Sequence, residues 1–267
     1  MRLSPAQATG VQNPAGDTGS PFLTLVIPVY NEADRIGPCL AEVGAWSMSL
    51  PYPVEVILVD DGSSDGTVAI AGSVAGVCPN LTIIQEAHRG KANAVLTGLE
   101  ASRGAIAGFC DVDLATPLAT WDECLVEFQA GADVVIASRE GAQANRVGEP
   151  SYRHVMGRAF NFLIRALLLP GIHDTQCGFK FFTRDALDAI LPRCHLYRDA
   201  ATTSRPRVTA FDVELLTIAR RQGFRIAIVP VTWHYGEHTK VNPITDTLQN
   251  LGDVLKVRMN AWRGLYN

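Results

Sequence analysis

Short apolar runs alternate along the chain with segments in which apolar residues recur every three or four positions. In the first half, the apolar runs predict five strands, at residues 22–29, 54–59, 81–84, 105–110 and 133–137. The segments between them have helical periodicity. Short buried strands that alternate with helices are typical of βαβ units. We therefore predict an α/β fold with a mostly parallel central sheet and helices on both faces.

The pattern is less regular in the second half of the chain. It predicts helices at residues 152–169, 211–222 and 243–262, and strands at residues 178–182, 225–229 and 231–235. The last helix is amphipathic, with one apolar stripe formed by Ile244, Leu248, Leu251, Leu255 and Trp262. Residues 1–21 lack an apolar run and are predicted to be a disordered tail rather than a signal peptide. Residues 22–267 contain no repeat and no linker, so we predict a single domain.

Composition narrows the classes of protein that this chain can belong to. Apolar residues make up 47% and the net charge is −4, which predicts a globular core and argues against general nucleic-acid binding. The 6 cysteines are scattered without a C-x-x-C pair. This spacing excludes the common zinc knuckles and predicts reduced thiols in a cytosolic setting. No apolar run approaches the length of about 18 residues that a membrane-spanning helix needs.

Candidate site residues follow the predicted strands, because ligands of open α/β sheets bind beyond the carboxyl ends of the strands. The first strand is followed by Tyr30-Asn31-Glu32, which contains no glycine and so excludes a G-x-G-x-x-G dinucleotide motif. Gly90-Lys91 is followed by Ala92, where a P-loop requires Ser or Thr. Two common modes of nucleotide binding are thereby excluded.

Polar residues after the second and third strands allow two interpretations each. Asp60 and Asp61 either form a turn that caps the next helix or accept hydrogen bonds from the base or ribose of a nucleoside. The run His88-Arg89-Gly90-Lys91 places basic residues at a helix start, against the helix dipole. A bound diphosphate would resolve that mismatch, and a solvated basic turn is the alternative.

Two carboxylates, those of Asp111 and Asp113, follow the fourth strand. Residues two apart on an extended chain project to the same side, so the two carboxylates can converge. Oxygen ligands that leave coordination positions for phosphates suit Mg²⁺ or Mn²⁺. We interpret this pair as metal ligands, and the alternative is an ordinary surface turn.

Residues 139–165 contain five arginines and only two acids. Three of the arginines, Arg153, Arg158 and Arg165, share the helix predicted at residues 152–169 with Phe and Leu side chains. This helix is either an amphipathic element whose arginines are solvated or one that lies on an anionic membrane surface.

Seven motifs, taken together, resemble those of a known family. They are V-Y-N-E (29–32), V-D-D-G-S-S-D-G-T (59–67), R-G-K-A (89–92), D-V-D-L-A-T-P (111–117), A-S-R (137–139), D-T-Q-C-G-F-K (174–180) and F-D-V-E-L-L (211–216). In this order they resemble family 2 glycosyltransferases, which have the GT-A fold. The closest resemblance is to the dolichyl- or polyprenyl-phosphate glucosyltransferase branch, and it covers residues 22–262.

The resemblance implies an inverting transfer of a hexose to a polyprenyl phosphate. The glucosyltransferase branch implies that this hexose is glucose. The resemblance also implies a UDP- or GDP-sugar donor, with UDP-glucose preferred, and a divalent metal (Mg²⁺ or Mn²⁺). With the basic helix predicted at residues 152–169, a lipid acceptor predicts peripheral contact with the cytoplasmic face of a membrane. By position, the nucleotide-sugar site comprises Pro28, Tyr30, Glu32, Asp60, Asp61, Lys91 and Asp111, and the metal ligands are Asp111 and Asp113. The acceptor phosphate is assigned to Arg139, Arg153 and Lys240, and the catalytic residues are Asp113, Asp212 and Gln176.

Two departures and two alternatives accompany the resemblance. Ala92-Asn93 replaces a Gly-Gly pair that is frequent in the family, and residues 197–209 form a longer stretch than usual. One alternative is a transferase that acts on a soluble or polysaccharide hydroxyl. Such an enzyme would need a general base, for which Asp212 is the candidate. The other interpretation of Asp212 is a cap for the helix that begins near Val213. A non-catalytic module that binds nucleotide sugars is the other alternative. The sequence leaves open the donor base and sugar, the acceptor and the oligomeric state.

Overall fold

The computed structural model describes residues 20–141, 144–147, 164–197, 202, 210–234 and 243–267. Its strands are β1 (Leu23–Val29), β2 (Val54–Asp60), β3 (Leu81–Gln85), β4 (Ile106–Cys110), β5 (Val134–Ser138), β6 (Asn145–Val147), β7 (Phe179–Thr183), β8 (Ile226–Pro230) and β9 (Thr232–His234). Its helices are α1 (Ala33–Ser49), α2 (Thr67–Ser73), α3 (Lys91–Ala101), α4 (Thr120–Gln129), α5 (Arg184–Ile190), α6 (Phe211–Arg221) and α7 (Pro243–Trp262). Residues 164–167 are also helical.

Seven strands form one sheet in the order β3-β2-β1-β4-β7-β5-β8. β7 runs antiparallel to β4 and β5, and the other neighbouring strands are parallel. All residues of β1, β2, β4 and β5 are buried, as expected for strands covered on both faces. The predicted α/β architecture with a mostly parallel sheet is thus confirmed.

The two faces of the sheet carry separate hydrophobic clusters. Alternate residues of β1 divide between them: Val26 packs with Val95 and Leu99 of α3, whereas Leu25 packs in the other cluster with Leu40 of α1. Fully burying an aliphatic side chain of this size contributes about 1.5–3 kcal/mol. α3 and α6 cover one face, and α1 and α4 cover the other.

The topology brings the functional motifs to one edge of the sheet. β1, β2 and β4 are parallel, so the residues that follow them lie at the same edge. β7 is antiparallel to β4 and pairs Phe179 with Cys110, so the chain enters β7 at that edge. The loop at residues 174–178 therefore lies beside the residues that follow β4.

Some parts of the chain differ from the prediction or lie outside the described residues. α5 and β6 were not predicted; α5 follows β7 directly, and the Thr183 hydroxyl caps it by accepting from the Ala186 amide at 3.3 Å. Of the helix predicted at residues 152–169, residues 151–163 lie outside the described part, as do residues 1–19 of the predicted tail. All 6 cysteines are buried and free. Within the described ranges, no helix combines the length and apolarity that a bilayer span requires.

Candidate active site

The Asp60 carboxylate, at the end of β2, has one oxygen without a hydrogen-bond partner in the part of the chain that the structure describes. Its Oδ2 accepts a hydrogen bond from the Ser63 amide at 3.0 Å. Its Oδ1 is buried and has no hydrogen-bond partner among the described residues. A buried acceptor that lacks a partner costs about 1–3 kcal/mol, and an N–H or O–H donor of a ligand would remove that cost. This geometry suits a nucleoside base or ribose.

The adjacent carboxylate, that of Asp61, is occupied by the turn after β3. Its oxygens accept from the amides of Arg89 at 2.7 Å and Gly90 at 2.8 Å. Oδ2 also lies 2.7 Å from Nδ1 of His88, whose ring stacks on Tyr30 with centroids 3.8 Å apart. Asp61 therefore positions the turn that leads to Lys91, whereas one oxygen of Asp60 has no hydrogen-bond partner among the described residues.

The loop after β1 is fastened to the loop after β2. The backbone amide of Asn31 donates to the Ser63 hydroxyl at 2.8 Å, and the side-chain oxygen of Asn31 accepts from the backbone amide of Ser64 at 2.8 Å. The Glu32 carboxylate pairs with Arg35 at 3.2 Å. Pro28 is buried inside β1, opposite Val59. Tyr30 and Glu32 follow the residue paired with Asp60 and form with Asp60 what we call the Asp60 corner, while Pro28 lies within β1.

Lys91, Asp111 and Asp113 converge between α3 and β4. Lys91 is the first residue of α3, and its ammonium donates to the Asp111 carboxylate. Burial raises the pKa of Asp113, and the nearby negative charge of Asp111 raises it further. Gly178 leaves room for the Asp111 carboxylate, because a Cβ at position 178 would lie 2.0 Å from Oδ2 of Asp111.

The two carboxylates fit a divalent cation. Burial is the larger cause of the raised pKa of Asp113, and the charge of Asp111 adds to it. A cation between the two carboxylates would relieve that second contribution. Within the described ranges, no group of three or more His, Cys, Asp or Glu side chains is arranged to hold a metal. The protein would therefore supply two oxygen ligands and leave positions for phosphates and water, a pattern that suits Mg²⁺ or Mn²⁺.

Asp212, in the first turn of α6, forms a buried ion pair with Lys180 of β7. The ammonium donates to Oδ1 of Asp212 at 2.8 Å and to the Cys177 carbonyl. Burial raises the pKa of Asp212, although the Lys180 charge opposes the shift. α6 begins at Phe211 and has no side-chain cap, so the interpretation of Asp212 as a helix cap is wrong. Its carboxylate pairs with Lys180, which the sequence analysis missed within an apolar strand.

Arg139 is held by Asp174 at the other side of the site. Two hydrogen bonds join the guanidinium to the carboxylate, and the backbone amides of Arg139 and Gln176 donate to it as well. Burial raises the pKa of Asp174, but the charge and hydrogen bonds of Arg139 outweigh it and hold that pKa well below its usual range. Trp233, a residue that the sequence analysis did not single out, lies 5.2 Å from the Arg139 guanidinium.

Trp233 also lines a small cavity with Asp111 and Gly178. The Arg139 side of the site therefore adjoins the Asp111 side. An aromatic residue inside the short strand predicted at residues 231–235 is the signal that could have identified Trp233. Two predicted acceptor residues, Arg153 and Lys240, lie outside the described residues.

Comparison with known proteins gives matches over most of the chain. The family model described as glycosyl transferase family 2 matches residues 24–191. The chain is 32% identical over 266 residues to the dolichyl-phosphate beta-glucosyltransferase of Homo sapiens, covering 92% of this chain and 79% of that protein. It is 33% identical over 254 residues to a dolichyl-phosphate beta-glucosyltransferase of Trichomonas vaginalis, covering 90% of this chain and 69% of that protein.

Solved structures share the fold. A mannosyltransferase from Pyrobaculum calidifontis, in complex with GDP-Man and Mn²⁺, matches with a TM-score of 0.58 and 24% identity over 91% of this chain. The match spans 65% of that mannosyltransferase, just under two thirds of its length. Glucosyl-3-phosphoglycerate synthase from Mycobacterium tuberculosis, in complex with Mn²⁺, UDP-glucose and phosphoglyceric acid, matches with a TM-score of 0.59 and 19% identity, over 90% of this chain and 80% of that one.

The matched range of the family model covers much of the candidate site. The neighbours confirm the GT-A type of α/β fold, and the family match spans the Asp60 corner, the Asp111–Asp113 pair and Lys180. The chain is a glycosyltransferase that belongs to glycosyl transferase family 2, in the branch of the dolichyl-phosphate β-glucosyltransferases.

Proposed function

We propose that this enzyme transfers glucose from UDP-glucose to a polyprenyl phosphate, with inversion at C1 and with Mg²⁺ or Mn²⁺ as cofactor. The observation that carries the proposal is the convergence of Lys91, Asp111 and Asp113 at the carboxyl edge of the sheet. This convergence occurs in a chain whose relatives, at 32% and 33% identity, bear the name dolichyl-phosphate beta-glucosyltransferase.

The donor nucleoside would bind in the Asp60 corner. The buried Oδ1 of Asp60, which has no hydrogen-bond partner within the described ranges, would accept the N–H of uracil or a ribose hydroxyl, with Tyr30 and Glu32 at the border. Asp61 would act through the turn that it fixes, which sets the position of Lys91. The Lys91 ammonium would then pair with the donor diphosphate as well as with Asp111.

The leaving diphosphate gains negative charge as the sugar departs. Asp111 and Asp113 would hold the divalent cation, which neutralises that charge. Lys91 contributes a second positive charge from the first turn of α3. Because the Asp111 carboxylate stays paired with Lys91, its orientation is set before the donor binds.

The acceptor phosphate needs positioning more than it needs a base. A phosphate monoester has its second pKa at about 6, so it is mostly a dianion near neutral pH and is already nucleophilic. Arg139, oriented by Asp174, together with Arg153 and Lys240, would hold the dianion in line with C1. Gln176, whose amide is tied to Asp174, would lie beside the reacting sugar.

A hydroxyl acceptor fits the site less well. Such an acceptor requires a general base, and the candidate for it, Asp212, is buried and paired with Lys180. In our proposal Asp212 acts within the catalytic centre through electrostatics, since its charge also bears on Lys91. A lipid acceptor further implies that the enzyme works in peripheral contact with the cytoplasmic face of a membrane.

A donor screen tests the proposal. Radiolabelled UDP-glucose, GDP-mannose and other nucleotide sugars are offered with detergent-dispersed polyprenyl phosphate, with and without Mn²⁺. We expect metal-dependent label in the lipid fraction from UDP-glucose. Label that enters only soluble or polysaccharide acceptors would favour the hydroxyl-acceptor alternative. Absence of both transfer and donor hydrolysis in the presence of metal would favour a non-catalytic binding module.

A further inference from the structure

The outer surface of α7 carries an exposed apolar stripe. Leu255, Met259 and Trp262 are 53%, 41% and 85% exposed. An α-helix turns by about 100° per residue, so these positions lie on one side of it. Leu265, just beyond the helix, is 45% exposed. Three of the residues of the predicted stripe, Leu251, Leu255 and Trp262, lie on this side.

The opposite side of α7 anchors the helix to the rest of the protein. Val254, Val257 and Ala261 are buried in the cluster that includes α6. The Tyr197 hydroxyl donates to the buried Asp253 carboxylate, and the Tyr266 hydroxyl donates to Glu214 of α6 at 2.7 Å. One side of α7 therefore packs against the core. The stripe of Leu255, Met259, Trp262 and Leu265 remains exposed.

The exposed charged side chains between residues 250 and 266 have one sign. Between residues 250 and 266, the exposed residues are Leu255, Lys256, Arg258, Met259, Trp262, Arg263 and Leu265. In that range the single acid is Asp253, which is buried and pairs with Lys256 at 3.5 Å. By helical angle, Lys256 and Arg263 flank the stripe on one side and Arg258 flanks it on the other.

We propose that this surface of α7 docks on an anionic phospholipid leaflet. Large apolar residues, Trp among them, would enter the boundary of the acyl chains, and the flanking Lys and Arg would lie at the headgroups. Three exposed basic residues, with no exposed acid between residues 250 and 266, complement the negative surface of such a leaflet. The proposal rests on the proposed lipid acceptor, and it assigns membrane contact to a surface distinct from residues 152–169.

A second copy of the chain fits this surface poorly. In a two-fold dimer the same patch faces itself, so Lys256, Arg258 and Arg263 would oppose their own copies. A stable interface also buries roughly 800 Å² per partner, from about 20–30 residues, which is more than this stripe and its flanks provide.

Flotation with lipid vesicles tests the proposal. The full-length protein is mixed with phosphatidylcholine vesicles that contain or lack phosphatidylglycerol. We expect the wild type to float with the anionic vesicles, more weakly as salt rises. Leu255→Ser with Trp262→Ser, and separately Arg258→Gln with Arg263→Gln, should each weaken binding by about tenfold or more. Met48→Ser with Val126→Ser, which removes apolar residues that are 63% and 61% exposed elsewhere, should bind as the wild type does.

Two further measurements separate docking from catalysis and from dimerisation. Brominated lipid should quench tryptophan fluorescence in the wild type but not in Trp262→Phe. The variant that combines Leu255→Ser with Trp262→Ser should keep glucosyl transfer in detergent. A wild-type protein that docks on vesicles but does not transfer glucose would contradict only the proposed function. Docking itself is overturned if the wild type ignores anionic vesicles at low salt, or if the control variant binds as weakly as the stripe variant. It is also overturned if sedimentation shows a dimer that the stripe variant abolishes.

Discussion

The Asp174 carboxylate receives the Arg139 guanidinium through two parallel hydrogen bonds, Nε to Oδ2 at 2.8 Å and Nη2 to Oδ1 at 2.9 Å. Asp174 is fully buried, and the side chain of Arg139 is 18% exposed. The same carboxylate accepts from the backbone amides of Arg139 and Gln176. One acid thus joins the end of β5 to the loop that enters β7, on the side of the site assigned to the acceptor.

Asp174→Asn should destabilise the fold, because it leaves the largely buried Arg139 charge without its partner. Breaking a buried ion pair by removing one member costs about 3–5 kcal/mol. The free energy of unfolding, measured by urea denaturation, should fall by that amount. Asp188→Asn is the matched control, since Asp188 is 68% exposed and lies 3.9 Å from Arg184. Equal losses in the two variants would contradict the role of Asp174.

The contribution of Asp174 should also depend on pH. Its folded-state pKa is lowered, so its stabilising effect is present above the unfolded pKa of about 3.9 and is lost as pH falls towards the folded value. The difference in unfolding free energy between wild type and Asp174→Asn should therefore shrink below about pH 4. A difference that stays constant as the pH falls through this range would show that Asp174 does not act as an ionised partner.

Asp60→Ala should weaken UDP binding even without metal. The variant removes the acceptor Oδ1, which we propose bonds the nucleoside. A hydrogen bond to a charged group contributes about 1.5–3 kcal/mol, so calorimetry should show an affinity about 10- to 100-fold lower. Asp122→Ala, at an exposed position of α4, is the control. Unchanged affinity in Asp60→Ala would place the nucleoside elsewhere.

Asp113→Asn should abolish most activity without unfolding the protein. One remaining carboxylate, that of Asp111, cannot hold a divalent cation well against water. We expect turnover to fall by about 10³-fold or more, as when charge stabilisation of a leaving group is lost. Circular dichroism should match the wild type. Near-normal turnover with unchanged dependence on Mn²⁺ would contradict the assignment of the metal ligands.

Lys180→Met should be strongly destabilising, because it leaves Asp212 buried without a counter-charge. The expected loss is about 3–5 kcal/mol in the free energy of unfolding. Lys180→Met combined with Asp212→Leu should recover much of this loss, since both charges are then gone. A double variant as unstable as the single one would mean that Lys180 acts through packing against Phe109, which lies 5.4 Å from its ammonium.

The sheet and the edge that carries the site could be predicted from the sequence. The apolar runs predict the strands, and the acids directly after two of them, Asp60 and Asp111, mark the carboxyl ends of those strands, where ligands bind. α5 was missed because its 7 residues follow β7 without an intervening loop. β6 was missed because its 3 residues show no periodicity.

Side-chain pairings over long sequence distances could not be predicted in the same way. Lys180 pairs with a residue 32 positions away, and Arg139 with one 35 positions away. Asp60 and Asp61 are neighbours with the same chemistry, yet the turn at residues 88–90 occupies only the second. Such differences depend on how the loops fold over the sheet edge, which local patterns do not encode.

The most direct test of the proposed function is the chemical structure of the product. Wild-type enzyme, UDP-glucose and polyprenyl phosphate are incubated with Mn²⁺ in detergent, and the lipid product is analysed by nuclear magnetic resonance. We predict glucose joined through its C1 to the lipid phosphate in the β configuration, with no such product from Asp113→Asn. An α-linked product, or glucose recovered only free or on a hydroxyl acceptor, would contradict the proposed inverting transfer to a polyprenyl phosphate.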